Sequence, residues 1–95
     1  MIKKISIPAE ILKDSSLTPK EQILYGLISE IGKSNSEGCV KTNRQLSKWA
    51  LCGLQSISNG IHKLIEKKYI VAQFISLSNG TKQTERHLFV INKGE

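Results

Sequence analysis

The twenty residues from Gln45 to Leu64 constrain the fold more than any other part of this chain. They read as two short helices joined by a tight turn. Thr42-Asn43-Arg44-Gln45 opens the first helix. Thr42 can accept from a first-turn N–H, and Gln45, three residues on, can bond back to the cap. Leu46 and either Trp49 or Ala50 give this helix an inner side, and the turn falls near Leu51-Cys52-Gly53. The second helix runs from about Leu54 to Lys67, with Ile57, Ile61, Leu64 and Ile65 on one stripe. Gln55, Ser58, Asn59, His62 and Glu66 share the opposite face. A helix with one apolar stripe must bury it, so the neighbouring segments have to supply a core.

Upstream, Thr18-Pro19-Lys20-Glu21 repeats the start signal, with Pro19 at the first helical position. Ile23, Leu24, Leu27, Ile28 and Ile31 then make one apolar stripe, and Gly32 suits the exit. Residues 34–38 read as a loop, and Cys39-Val40 is long enough only for a strand stub. Ile5-Ser6-Ile7 alternates as a short strand would, and Pro8 to Leu12 fits a single helical turn. Downstream, Tyr69 to Leu77 is rich in β-branched and aromatic residues, and Asn79-Gly80 is a hairpin turn signal. Thr81 to Arg86 extends that loop, and His87 to Ile91 returns. The expected architecture is α+β in a single domain over residues 1–95: a three-helix core, a C-terminal β-hairpin and a short N-terminal strand. Trp49 and Cys52 are expected in the core. Gly60 is expected to let the second helix of the motif pack closely on the first.

The net charge of +6 is unevenly placed. Residues 1–40 balance to zero. Residues 41–68 carry six basic side chains against Glu66 alone, and residues 69–95 carry a net +1. A basic excess on one element is the electrostatic footprint of a polyanion binder. No Walker A, G-x-S-x-G or paired-carboxylate pattern points to an enzyme, and no cofactor is expected. His62 and His87 show no Cys or acid pattern for a metal site, so no metal is expected. Cys39 and Cys52 read as free thiols. No run approaches the ~18 apolar residues of a membrane span, and Met1 to Pro8 lacks a signal-peptide core. The expected location is cytoplasmic.

Three helices closed by a hairpin make a winged helix, with Asn79 to Arg86 as the wing. Leu46-Ser47, Ala50, Cys52, Ile57, Ile61 and Leu64, followed by Glu66-Lys67-Lys68-Tyr69-Ile70, match a bacterial helix-turn-helix running into such a hairpin. With Ile7 to Leu12, Leu17 to Glu21 and Leu24-Tyr25, the chain resembles winged helix-turn-helix domains of Gram-positive plasmid and phage replication initiators and replisome organisers. The resemblance spans roughly residues 5–91. It departs where such motifs usually carry Gly, here Leu51, and where they cap the second helix with Ser or Thr, here Gly53. It implies a non-catalytic double-stranded DNA-binding protein of a bacterial mobile element. Replication initiation, conjugative transfer or transcription control would be its setting, and replication or transfer proteins its partners.

On that reading Gln55, Ser58, Asn59 and His62 face base edges. Thr42, Asn43, Arg44, Lys48, Lys63 and Lys67 meet phosphates, and Asn79, Lys82 and Arg86 in the wing touch the neighbouring groove. Binding as a homodimer or in tandem on DNA remains open. One alternative is a protein-docking module using Trp49 and the hairpin. Another is a single-stranded DNA-binding accessory protein, for which Tyr25, Trp49, Tyr69, Phe74 and Phe89 are the only stacking residues, most of them read as buried.

Overall fold

The fold is known from a computed structural model, which describes residues 4–33, 35–76 and 84–91. Among the described residues, four helices precede a two-stranded antiparallel hairpin. The helices are α1 (Ala9–Leu12), α2 (Pro19–Lys33), α3 (Asn43–Ala50) and α4 (Leu54–Glu66). The strands are β1 (Ile70–Ser76) and β2 (Thr84–Val90). None of the described helices is long and apolar enough to cross a membrane.

Both expected capping boxes form. Glu21 N–H donates to Thr18 Oγ1, and Thr18 N–H donates to Glu21 Oε1. Gln45 N–H donates to Thr42 Oγ1 at 3.2 Å, and Thr42 N–H donates to Gln45 Oε1 at 2.9 Å. Each box satisfies backbone donors that a helix start leaves unpaired.

The turn between α3 and α4 explains the unusual Leu51. Its backbone sits in the left-handed region, φ 55° and ψ 43°, where glycine is the residue without strain. Ser47 holds this turn. Its hydroxyl donates to Cys52 O at 2.6 Å, and its carbonyl accepts from Cys52 N–H. Gly53 then caps α4 with its backbone only, with no side-chain bond to the first turn.

One apolar cluster joins every element. Ile11, Leu17, Leu24, Ile28, Cys39, Leu46, Ile57, Leu64, Ile70 and Leu88 are all buried in it. Two positions of the expected helix stripes fall outside: Ile65 and Ile23 flank their stripes and are exposed. Gly60 is a close-packing position, but its neighbour is α2 rather than α3. A Cβ there would stand 2.8 Å from Leu24 Cδ2.

The expected N-terminal strand does not form among the described residues. Ile5 and Ile7 instead lie against Gly26 of α2, where the missing Cβ leaves a seat for them. The stub at Cys39 does pair, through an antiparallel bridge to Leu88. Cys39 N–H donates to Leu88 O at 2.8 Å, and Leu88 N–H donates to Cys39 O at 2.9 Å. Gly38, at φ +79°, permits this approach, since a Cβ there would fall 2.6 Å from Leu88 O.

Strand β2 begins at Thr84, three residues before the expected start. Thr84, Glu85 and Arg86 pair with Ser76, Ile75 and Phe74, so they continue the ladder rather than the loop. Asn79, Gly80 and Lys82 lie outside the described residues.

Candidate nucleic-acid interface

The inner stripe of α4 is buried at Ile57, Gly60, Ile61 and Leu64, which turns the opposite face outward. Gln55, Asn59 and His62 are exposed on that face, and Ser58 is half-buried at its edge. Gln55 Nε2 donates to Asn59 Oδ1 at 3.0 Å, so the two amides already engage each other. Glu66 shares the face. The surface therefore offers amides, an imidazole and a carboxylate.

The cations divide into two groups. Arg44 and Lys48 are exposed on α3 and point to solvent. Lys63 and Lys67 are held by acids from upstream: Lys63 Nζ lies 3.6 Å from Glu21 and Lys67 Nζ 3.4 Å from Asp14. The basic excess of residues 41–68 is thus partly offset by carboxylates that folding brings in. Lys41 Nζ sits 5.7 Å from the Trp49 ring centre, a cation–π contact.

Asp14 is the hub of one of these pairs. It accepts from the Ser16 hydroxyl, from Tyr69 Oη at 2.6 Å and from Ser16 N–H. Those bonds, the Ser16 hydroxyl first, hold its carboxyl well below the usual carboxylate range. The same contact pushes the Tyr69 hydroxyl up to about 12.

Trp49 was expected in the core but is 40% exposed, and Leu51 is 88% exposed beside it. Cys52 packs against the core as expected. Phe74, one of the candidate stacking residues, is 67% exposed on β1.

Arg86 differs most from its expected setting. Its side chain turns back toward the body of the molecule, and Nη2 donates to Lys41 O at 3.0 Å. Its Nε is buried without a bonding partner among the described residues, and burial lowers the guanidinium from its ordinary value. Asn43 Oδ1 is buried without a partner as well. Both residues line a cleft between the start of α3 and the hairpin, with Lys41, Thr42 and Phe74. Thr42, expected at a phosphate, is the α3 cap.

Sequence reasoning missed Lys20. This exposed side chain at the start of α2 lines a second cleft with Ser56 and Asn59, next to the outer face of α4. Nothing local in the sequence ties Lys20 to Asn59; only the packing of α2 on α4 does. The acids around His87 were missed too. Glu85 stands two residues before it on the same strand face, and the fold adds Glu37.

These features define a small α+β domain of helices followed by a two-stranded hairpin. Compared with known proteins, the sequence matches no protein family and no curated protein.

Proposed function

We propose that this chain is a winged helix-turn-helix that binds duplex DNA without catalysis. One observation carries the reading: α4 buries one stripe and presents Gln55, Asn59 and His62 outward, directly after a short helix bearing exposed Arg44 and Lys48. Amide side chains at that spacing suit adenine N6 and N7 in a major groove, while Arg and Lys on the flank suit phosphates. The Cys39–Leu88 bridge supports the winged arrangement, because it adds a third short strand segment to the hairpin. Lys20 joins the proposed phosphate contacts, and Lys63 and Lys67 are assigned first to holding α2 and the 14–16 loop. Lys82 and Asn79 remain the proposed wing contacts. A bacterial mobile element is the proposed setting, on the resemblance described above.

A salt titration tests this reading. Affinity for duplex should fall steeply with rising salt, as counterions return to the phosphates. Absence of duplex binding at about 50 mM salt would overturn it. Selection from a random duplex pool would then return the site.

A second reading is favoured by the exposed Trp49 and Leu51 at the turn, with Leu54 beside them. Exposed aromatic and aliphatic groups of this kind suit a protein partner. Trp49→Ala would abolish that contact and leave duplex affinity within about twofold.

A further inference from the structure

His87 is 3% exposed, yet both of its ring nitrogens face acceptors. Nδ1 lies 2.8 Å from the Glu37 carbonyl oxygen, which can only accept, so Nδ1 carries the hydrogen of this bond. Nε2 lies 3.1 Å from Glu85 Oε1. In a neutral ring Nε2 then presents a lone pair to a carboxylate that also offers only lone pairs. A buried imidazole in this position needs something positive between the two atoms, either a proton on Nε2 shared with Glu85 or a metal ion.

The fold supplies a third ligand. One ligand atom from each of Glu37, Glu85 and His87 lies within 4.8 Å of the other two. Glu85 and His87 alternate on β2 and so share a sheet face, and Glu37 arrives from the loop just before the Cys39–Leu88 bridge. The Nε2–Oε1 separation of 3.1 Å is close to the ~3.3 Å edge expected of a tetrahedral shell with bonds of about 2.0–2.1 Å. The Nδ1–H bond to a backbone carbonyl is the outer contact that metal-bound histidines usually make, and it fixes the tautomer that bares Nε2.

We propose that Glu37, Glu85 and His87 bind one divalent transition-metal ion, with Zn2+ as the favoured member. A mixed imidazole and carboxylate set suits zinc better than it suits calcium or magnesium, which take oxygen ligands. The ion ties the 35–38 loop to β2, and so fixes the middle and outer part of the hairpin against the segment that leads into α3. The site is independent of the DNA reading.

The test is zinc binding by the full chain, measured by chelator competition, with X-ray absorption on the loaded protein. The expected result is one ion per chain, bound by one nitrogen and oxygens at about 2.0–2.2 Å. Glu37→Gln and Glu85→Gln, both at accessible side chains, should each weaken binding by roughly tenfold or more while circular dichroism stays unchanged. The proposal is overturned by absence of binding in the wild-type chain. It is overturned equally by a sulfur ligand at about 2.3 Å, which would place the ion at Cys39 or Cys52. A third overturning result is a proton on His87 Nε2 in nitrogen NMR spectra recorded with zinc in excess, since that would make the proton the cation between Nε2 and Glu85.

Discussion

Gln55 Nε2 donates to Asn59 Oδ1 across one turn of α4, at 3.0 Å on an exposed face. The bond aligns two amides that would otherwise sample many rotamers, and it occupies groups that a base edge would need. If α4 reads DNA, the pair acts as a unit. Gln55→Ala and Asn59→Ala should each weaken duplex binding by about 1–3 kcal/mol. The double variant should lose less than the sum, because each substitution already frees the other side chain. Thermal stability should change by no more than about 0.5 kcal/mol, the usual worth of such an exposed pair. Binding isotherms at fixed salt, alongside melting curves, separate the two effects.

Leu51 is the clearest place to gain stability. Its left-handed backbone and high exposure mean that the side chain contributes strain and little burial. Leu51→Gly should stabilise the chain by about 0.5–1 kcal/mol after the added freedom of the unfolded glycine is counted. That corresponds to a rise of roughly 4 °C in melting temperature. Gly53→Ser should add only a few tenths of a kcal/mol, because glycine is already a serviceable cap.

Gly38→Ala should move stability the other way, by about 2 kcal/mol or more. The new methyl would meet Leu88 O and the Phe89 ring, and the backbone φ of +79° is strained for alanine. Protection of the Cys39 and Leu88 amides falling further than that of the buried α4 amides in hydrogen exchange would show that in this variant the bridge is what gives way.

The Asp14 hub sets a pH signature at both ends of the scale. Its carboxyl is depressed in the folded chain, so its contribution is present above the ordinary value of 3.8 and lost as pH falls below it. Tyr69 is raised, so its contribution is full below the ordinary value of 10 and lost as pH rises through about 12. Asp14→Asn and Tyr69→Phe should therefore both be less stable than wild type near neutrality. The Asn variant should converge on wild type in acid, and the Phe variant in strong base. Chemical denaturation across pH checks both limbs.

Local signals and tertiary placement separate cleanly in this chain. The capping boxes at Thr18 and Thr42 were legible, because a cap is a bond between residues three apart. So were the inner stripe of α4 and the hairpin that follows it. Ile65 and Ile23 were misplaced because they flank their stripes, where the neighbour rather than the period decides burial. Arg86 was read as a wing residue because polar spacing looks the same in a loop and in a strand. Its bond to Lys41 O joins residues 45 apart, and no local pattern carries that. The charge tally by segment overstated the exposed excess for the same reason, since Glu21 and Asp14 reach Lys63 and Lys67 only through folding. Trp49 was placed inside, but of the two candidates beside Leu46 it is Ala50 that packs on the core, while Trp49 stays 40% exposed under Lys41.

The reciprocal pair of bonds between Cys39 and Leu88 has a kinetic meaning. It closes a loop that contains α3, α4 and β1, so its loop-closure entropy must be met before the contact contributes. The helices and the turn can form from nearby residues; this bridge cannot. It belongs to the last, cooperative stage of assembly, and its two amides should exchange with solvent only when the whole molecule opens. A single pair of backbone protons would then serve as a clock for global unfolding, while the outer face of α4 stays open to solvent throughout.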